Sequence, residues 1–415
     1  MRQSLVRVLV TLTTLSLAMG VAQADRRTSL GGNMLIADRD DTFVYPQLAL
    51  KYKKSVSIDF GADQGIGNAL LIASPNKKSA LAIALNRGDT IAGLGNSYGG
   101  SPELGMIGNS NMQLEFPGMS NSGQPPIIAD IIYAMKMGKN KLGFRLGFVG
   151  IGASQTNDGD HVGTDSSMGF RLGAGYSMGK KGDFAFNFGM GTGSVQSGED
   201  NDDVSDASNM LVGLSGRYFL KRGKKMSIGS IFDIGFNSVS NTDYNADDKK
   251  LSRNTFNLAA GVGPVYRKKN KYTVAFYGHF GFRTISEDPN SEADDDETSE
   301  MEILFPGFNI AMEYRVLDWL ELRSSAYYSY VIAGSDEANK VVNSFNNNNA
   351  LGWQAGMGIV FDHLKINGTF SHGFVTGGPN FVSGYSGNLF SMLSVVGNFG
   401  GKSFREAKKE EPAAE

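Results

Sequence analysis

The sequence predicts an all-β fold: a transmembrane, antiparallel, up-and-down β-barrel of about 14–16 strands with an N-terminal plug segment. From about residue 126 to Phe399, large apolar residues alternate with small or polar ones, which is the period of a β-strand. The polar positions are glycine, serine, asparagine and single charges, which cannot build a protein core. Short basic connections also alternate with long acidic ones, which is typical of a barrel with tight turns at one rim and loops at the other.

The first 24 residues have the pattern of a secretory signal peptide. Arg2 and Arg7 are followed by the apolar stretch Val8–Met19 and by the small-x-small cleavage site Ala22-Gln23-Ala24. We therefore expect residues 1–24 to be removed; a buried helix or a short membrane anchor is the alternative. Export of a barrel predicts an integral protein of a Gram-negative outer membrane. The expected partners are outer-membrane lipid, lipopolysaccharide and the barrel-assembly machinery.

Composition excludes several classes of protein. The chain has no Cys, which excludes disulfides and thiolate metal sites, and its net charge of −3 gives no nucleic-acid footprint. After residue 24 no apolar run is long enough for a transmembrane helix. Gly accounts for 54 of 415 residues and lies within strands, where it bends the wall and saves space in the lumen. No cofactor is expected.

The strand pattern divides the barrel, residues 54–399, into sixteen segments. They are 55–61, 67–73, 79–86, 126–137, 142–153, 166–178, 183–194, 208–220, 226–238, 254–266, 271–284, 301–314, 319–333, 350–361, 364–376 and 388–399. The first three are short and weakly patterned, so a wall of 14 strands, without the first hairpin, is the alternative. The last segment resembles the C-terminal assembly signal of outer-membrane barrels, although it does not end the chain.

The connections and ends complete the organisation. The long connections are predicted at 156–165, 198–208, 241–253, 287–300 and 335–349. Residues 87–125 form another, either an outer loop or a loop folded into the lumen. Residues 25–53 are a plug or periplasmic segment, and residues 400–415, charged and without periodicity, are predicted to be a disordered periplasmic tail. The acidic clusters in the long connections lack the EF-hand order, so no metal site is predicted.

Aromatic residues cluster beside the short basic turns. They are Tyr176, Tyr218, Tyr266, Tyr272, Tyr314 and Trp319. Strands favour aromatic residues in general, but their recurrence beside the turns predicts the aromatic girdle found at a membrane interface.

Residues 30–50 resemble the start of barrels in the FadL-like superfamily of hydrophobic-substrate transporters and its PorV-like relatives. The likeness lies in a Gly-rich step, an acidic step and a retained proline. The matching residues are Gly31, Gly32, Ala37, Asp38, Asp40, Asp41 and Pro46. The resemblance implies that this segment plugs the lumen before the first strand, with Asp38, Asp40, Asp41 and Pro46 as plug residues. A plain periplasmic extension is the alternative.

Alternation also places a set of ionisable side chains in the lumen. The candidates are Arg145, Arg171, Arg217, Asp233, His279, Arg283, Glu313, Glu321 and Arg323. One interpretation is a salt-bridge layer that braces the wall or holds the plug. The other is a charged constriction that selects solutes, with a mild preference for anions such as fatty carboxylates.

The sequence does not predict an enzyme. Ser371 and His372 are adjacent in a predicted strand, so their side chains point to opposite faces and cannot form a nucleophile–base pair. The leading hypothesis is a porin-like channel or transporter, which the resemblance directs toward hydrophobic small molecules such as fatty acids. Release would be to the periplasm, or sideways at a wall kink near Pro264 or Pro306. The alternative is a scaffold barrel that anchors an envelope complex.

Overall fold

The computed structural model describes most of the predicted barrel and plug. The described residues are 25–61, 68–85, 127–157, 160–197, 202–222, 225–243, 249–268, 271–288, 298–337, 346–370, 390–399 and 404. The signal segment 1–24, the connection 87–125, Ser371 and His372 lie outside these ranges. Of the predicted tail only Phe404 is described, and its backbone N–H donates to the Asp362 carbonyl at 2.6 Å.

Sixteen antiparallel strands form one closed barrel, which confirms the predicted fold class. The strands are β1 Ser55–Gly61, β2 Asn68–Ala73, β3 Ser79–Leu85, β4 Ile127–Met137, β5 Asn140–Asn157, β6 Asp160–Met178, β7 Gly182–Ser197, β8 Asp202–Arg222, β9 Met226–Asp243, β10 Lys249–Lys268, β11 Tyr272–Asp288, β12 Thr298–Leu317, β13 Leu320–Glu337, β14 Asn346–Val360, β15 Leu364–Phe370 and β16 Phe390–Asn398. Each strand pairs with its neighbours along the chain, and β1 closes on β16 with Ser55 opposite Asn398. The first hairpin is therefore part of the wall, and the 14-strand alternative is wrong.

Parts of the predicted long connections at 156–165, 198–208, 241–253, 287–300 and 335–349 are strand. Asn157 pairs with Asp160, and Ser197 pairs with Asp202 on one side and Gly163 on the other. A crossing needs only ~9–11 residues, whereas β8 has 21. The polar ends of these strands lack an apolar face in the sequence, so periodicity predicts loops there. Beyond a bilayer both faces of a strand can meet water, so the backbone pairing continues without that face.

The two faces of the wall differ in chemistry. On β5, Phe144, Leu146 and Phe148 point outward and are about half exposed, whereas Arg145 points inward and is 3% exposed. The predicted girdle residues lie on the outer surface at the rim with short turns, hereafter the turn rim. The Tyr272 ring lies 5.7 Å from that of Tyr266 and 6.5 Å from that of Tyr314.

Residues 25–54 lie inside the barrel at the turn rim. They form helix α1 (Asp25–Ser29), helix α2 (Asp41–Val44) and a 3₁₀ helix (Pro46–Leu50). Leu35 and Tyr45 pack in one apolar cluster against β7–β12, and Phe43 packs in a second against β2–β4. No helix among the described residues is both long enough and apolar enough to cross a bilayer.

Backbone hydrogen bonds at the turn rim join the turn of one hairpin to a strand of the next hairpin. The pairs, each with its amide donor first, are Lys136 to Lys78 (2.8 Å), Phe219 to Lys181 (2.7 Å), Arg267 to Lys225 (2.7 Å), Arg315 to Lys271 (2.7 Å), Val360 to Trp319 (2.8 Å), Asn398 to His363 (2.9 Å) and Phe399 to Lys54 (2.8 Å). Between β5 and β6, the Gly179 amide donates to the Asn140 side chain at 3.1 Å. Neighbouring hairpins are thus linked up to the turns themselves, where one of the two paired strands has already ended.

Candidate functional site: the plug and the lumen wall

The plug is tied to β8 through Arg217. This buried guanidinium donates to the Asp41 carboxylate at 2.7 Å and to the Met34 carbonyl at 3.1 Å. It also pairs with Asp183 of β7 at 2.8 Å and lies 5.1 Å from the centroid of the Tyr45 ring. The planar guanidinium has donors for several partners at once, so one wall residue holds two parts of the plug.

A second tie lies four to five strands further round the wall, at β12 and β13. Arg26 of α1 donates to Glu313 at 2.8 Å, and Glu313 also accepts from Arg323 at 3.0 Å. Beyond Arg323, Glu321 pairs with Lys365 of β15 at 2.6 Å. These alternating charges form a layer that joins β12, β13 and β15 to the plug.

The predicted plug carboxylates link the two ties. Asp41 accepts from Arg27 at 2.6 Å and from the Asp38 backbone N–H at 3.0 Å. The Asp38 carboxylate pairs with Arg26 and accepts from the backbone N–H of Asp40 at 3.1 Å. Burial raises the pKa of the Asp38 carboxyl, but the Arg26 and Arg27 charges outweigh it and hold that pKa well below its usual range. The carboxylate is therefore charged at neutral pH.

Pro46 begins the 3₁₀ helix, which rests on glycines of the wall. A Cβ at Gly143 would collide with the backbone of Pro46 and Gln47, and one at Gly175 would meet the Gln47 side chain. Gln47 is fully buried there. Glycine on the lumen face of β5 and β6 therefore creates the space that this helix occupies.

An amide pair fixes the Gly-rich step. Asn33 donates to the Asn309 side chain of β12 at 2.7 Å, and Asn309 donates to the Gly31 carbonyl at 2.8 Å. Gly31 has a φ of +58°, a conformation that glycine adopts without cost, and it lies against Ser325. The glycine and the two amides together determine how the chain turns after α1.

Arg145 supports the plug from β5. It donates to Asp130 of β4 at 2.7 Å and to the Phe43 carbonyl at 2.7 Å. Its guanidinium lies 5.1 Å from the centroid of the Phe43 ring. Five of the predicted lumen residues, Arg145, Arg217, Glu313, Glu321 and Arg323, thus lie in the layer around the plug.

The remaining predicted lumen residues lie further along the wall. Arg171 is buried, Asp233 accepts from Ser215 at 2.7 Å, and Arg283 pairs with Glu302 of β12. His279 is buried with its ring 5.7 Å from that of Tyr277, and neither ring nitrogen has a hydrogen-bond partner among the described residues. These side chains are not gathered into one cluster.

Sequence reasoning missed the amides and the partner acids. Asn187, Gly213, Gly235 and Asn257 form one row across β7–β10, and Asn209 and Asn237 lie on the same buried face. Asn309, Asp130 and Asp183 were also not among the candidates. Alternation could have found all of them, because each occupies an inward position of its strand.

Both suggested kinks coincide with breaks in pairing. Phe305 and Pro306 are skipped on both sides of β12, since pairing jumps from Leu304 to Gly307 against β11 and β13. Pro264 pairs with Ile228 of β9 but is skipped against β11. Two breaks therefore flank the middle of β11, which carries Tyr277 and His279.

Comparisons with known proteins gave structural likeness only. No protein-family model matches the chain, and no curated protein matches it. The chain is similar to the toluene transporter TodX of Pseudomonas putida, with a TM-score of 0.36, 10% identity, and coverage of 92% of this chain and 100% of that one. It is also similar to the siderophore receptor PiuA of Acinetobacter baumannii, with a TM-score of 0.41, 7% identity and 76% of this chain covered. The chain spans 56% of the length of PiuA.

Proposed function

We propose that this chain is a non-catalytic outer-membrane barrel that carries small solutes through its lumen and is closed by its N-terminal plug. The membrane location is supported by the outward band of large apolar residues and by the aromatic rings at the turn rim. Export through a cleaved signal peptide and insertion by the barrel-assembly machinery belong to the same proposal.

The observation that carries the proposal is the attachment of the plug. It is held by separate polar contacts to β8, β12 and β5, without a strand of its own in the sheet. Because the wall closes through its own hydrogen bonds, the plug can shift without opening the barrel. A solute would enter at the rim opposite the turn rim, pass the amide-rich wall and leave where the plug yields.

The ties set the energy needed for opening. Separating one partner of a buried ion pair costs about 3–5 kcal/mol, and Arg217 and Asp41 are both almost fully buried. The Arg26–Glu313 tie is more exposed, at 20% and 13% for the two side chains, so it is the weaker one. The plug is therefore expected to yield first at α1, while the Arg217 side acts as a hinge.

Two substrate classes are to be compared. The resemblance of residues 30–50 directs the proposal to hydrophobic small molecules such as fatty acids. The asparagines and glycines of β7–β10 instead favour a polar solute, which could hydrogen-bond to the amides. Uptake of a labelled fatty acid and of a neutral sugar by vesicles containing the barrel would separate the two.

The route of release also has two forms. Release through the turn rim requires the plug to move. Release sideways would use the pairing break at Phe305 and Pro306, where β12 lacks ladder hydrogen bonds on both sides.

A disulfide between plug and wall tests the proposal. The chain has no cysteine, so Ser29→Cys with Gly356→Cys creates a single pair. A Cβ at residue 356 would lie 2.6 Å from the Ser29 Cβ and 2.6 Å from the Gly368 carbonyl oxygen. A disulfide needs a Cβ–Cβ distance of about 3.5–4.5 Å, so both the plug and the β14–β15 backbone must shift by about 1 Å, and the single variant Gly356→Cys measures the effect of the wall shift alone. Conductance and uptake are measured before and after reduction of the same reconstituted sample.

Under the proposal, the oxidised protein conducts less than the wild type, and reduction restores conductance. Equal conductance in both states would show that this end of the plug does not gate the lumen. The single variants Ser29→Cys and Gly356→Cys control for effects of the substitutions themselves.

The rival function is a scaffold barrel that anchors an envelope complex. It is favoured by the near-complete burial of the plug in two apolar clusters. Absence of conductance and uptake in every form, including a form without residues 25–50, would favour the scaffold.

A further inference from the structure

Several uncharged side chains on the lumen face of β11–β14 have polar atoms without a hydrogen-bond partner among the described residues. They are His279, Ser325, Ser329 and Gln354, hereafter the polar cluster. Both ring nitrogens of His279, the two serine hydroxyls and the side-chain carbonyl oxygen of Gln354 are in this state. Most buried polar groups in proteins are hydrogen-bonded. Several unpaired groups in one place therefore point to a molecule that would pair with them.

The register of the strands brings these side chains together. His279 of β11 pairs with Gly307 of β12, which pairs with Ser329 of β13. Ser325 lies four residues before Ser329 and pairs with Gln354 of β14. The polar cluster thus extends over ~14 Å across the sheet and ~13 Å along a strand, at ~4.8 Å between strands and ~3.3 Å per residue. An area of this size accommodates one small solute.

Two glycines make room for aromatic rings beside the polar cluster. A Cβ at Gly307 would overlap with the imidazole of His279, so this ring lies over β12. A Cβ at Gly352 would overlap with the phenol ring of Tyr327, so that ring lies over β14. Ser329, on β13, lies between the two. The Tyr327 side chain is only half-buried, so part of its ring is accessible from the lumen.

The polar cluster lies between two ion pairs of the wall. Arg283 of β11 pairs with Glu302 of β12 on the side away from the plug. Arg323 of β13 pairs with Glu313 of β12 at 3.0 Å on the plug side. In each pair one charge offsets the other. A charged solute would lose its hydration here without gaining a counter-charge, and that loss is unfavourable, so the position favours a neutral solute.

The hydrogen-bonding groups of the polar cluster suit hydroxyl groups. A neutral imidazole has one donor and one acceptor nitrogen, a serine hydroxyl donates and accepts, and an amide carries both kinds of group. The hydroxyl of an alcohol also donates and accepts, so it can pair with each of them. The ring of Tyr327 adds an apolar face against which C–H groups can pack. Sugars combine several hydroxyls with an apolar face and carry no charge.

The plug borders the polar cluster at its weaker end. Gly31 lies against Ser325, since a Cβ at position 31 would be 2.7 Å from the serine Oγ. Ser29 of α1 lies against Gly356, two residues after Gln354. The α1 end of the plug is the part expected to yield first. Movement there would uncover the Ser325 hydroxyl, so a solute that pairs with it would stabilise the open position of the plug.

We propose that β11–β14 form a binding site for a neutral sugar, in the lumen beside the plug. His279, Ser325, Ser329 and Gln354 hydrogen-bond to its hydroxyls, and the ring of Tyr327 packs against its apolar face. The site gives the solute of the transport proposal a chemical class, and in that sense it rests on that proposal. Binding itself is measured without transport.

Equilibrium dialysis of the purified full barrel tests the site, in a detergent without a sugar headgroup. The labelled probes are glucose, galactose, maltose and sucrose, which are neutral, together with gluconate, a polyol with a negative charge, and dodecanoate, an apolar acid. We expect saturable binding of at least one neutral sugar and none of gluconate. Saturable binding of none of the four sugars, or of gluconate as tightly as the sugars, would overturn the site.

Variants assign the binding to the polar cluster. Ser329→Ala and His279→Phe each remove hydrogen-bonding groups and should weaken sugar binding about tenfold. Tyr327→Leu removes the ring and should weaken binding by a similar factor, whereas Tyr327→Phe keeps the ring and should bind nearly as the wild type does. Unchanged binding in Ser329→Ala, His279→Phe and Tyr327→Leu alike would place the sugar elsewhere and contradict the proposal.

Matched controls lie on the outward face of β13. Ser324 accepts a hydrogen bond from the outward Trp353 at 2.8 Å, and Tyr330 follows the same alternation as the outward Leu322. Ser324→Ala and Tyr330→Leu should bind sugar as the wild type does. If these controls lost binding as much as the lumen variants, the effect would be one of folding and the site would be refuted.

Two further measurements keep the outcomes distinct. Ser329→Ala removes a single oxygen atom, so it remains decisive if circular dichroism shows that His279→Phe folds poorly. Conductance of the same samples separates this inference from the transport proposal. Plug-gated conductance without sugar binding would mean that water alone fills the polar cluster, which contradicts only the sugar site. Saturable sugar binding without conductance in any form would support the site and contradict only transport.

Discussion

Arg217 makes three kinds of contact at once, and each depends on the shape of a guanidinium. It forms ion pairs with Asp41 and Asp183, donates to the Met34 carbonyl and stacks over Tyr45. A lysine would offer a single point charge and could not serve all of these partners. This residue therefore sets the position of the plug against β7 and β8.

Replacing Arg217 by methionine removes one of the two arginine partners of Asp41 and the arginine partner of Asp183. We expect a loss of about 3–5 kcal/mol in the free energy of unfolding, measured by urea unfolding of the barrel in lipid vesicles. Arg283→Met is the matched control, because its ion pair with Glu302 joins two wall strands and does not touch the plug. Equal losses in both variants would argue against a special role of Arg217.

Asp38 predicts how the plug responds to acid. Its folded pKa is below the usual value, so its ion pair stabilises the folded state above about pH 4. That contribution falls as the pH drops below 4 toward the folded pKa. The stability difference between wild type and Asp38→Asn should thus be constant from neutral pH to about 4 and shrink below it. A difference that changed between pH 7 and 5 would contradict this assignment.

At the scale of elements, the 3₁₀ helix depends on the glycine face of β5. A methyl group at position 143 would meet the backbone of Pro46 and Gln47, which cannot rotate away as a side chain can. We expect Gly143→Ala to cost about 1–3 kcal/mol and to expose the plug to protease. Gly278→Ala is the control, because a Cβ there would meet only the Gly307 carbonyl, at 3.9 Å. Equal protease sensitivity of the two variants would contradict this fit.

The strands of the wall were predictable from sequence because each one alternates with a period of two residues, with apolar side chains facing outward and small or polar side chains facing the lumen. All sixteen segments were found, with boundaries correct at the turn rim to within three residues. The opposite ends were not predicted, because residues such as Asn157 and Asp160 stand in polar stretches of sequence without apolar alternation, although they are paired in the sheet. Periodicity has no signal where neither face is buried in hydrocarbon.

The plug contacts were less predictable than the wall. Alternation gives the side of a strand on which Arg217 or Glu313 lies, but it does not give the partner across the lumen. Asp41 and Arg217 are 176 residues apart, and only the closed barrel brings them together. The amides Asn33 and Asn309 carry no charge pattern, so reasoning based on charge overlooked them.

For the whole molecule, closure of the wall does not depend on the plug. The β1–β16 register continues the sheet around the barrel without help from residues 25–50. We expect a form lacking these residues to insert and to keep its β-sheet circular dichroism, while its conductance rises. Its unfolding midpoint should fall, because two apolar clusters lose their plug side chains. If the form lacking residues 25–50 failed to assemble, the plug would be required for folding of the barrel, and this prediction would be wrong.

The backbone hydrogen bonds between successive hairpins form a ring around the turn rim. This ring resists widening of the rim, because a larger diameter would stretch several backbone hydrogen bonds at the same time. Opening by an iris-like expansion is therefore disfavoured, and the diameter of the exit stays fixed. Within a rim of constant width, the exit therefore opens only when the plug swings away at α1 while the Arg217 side stays attached.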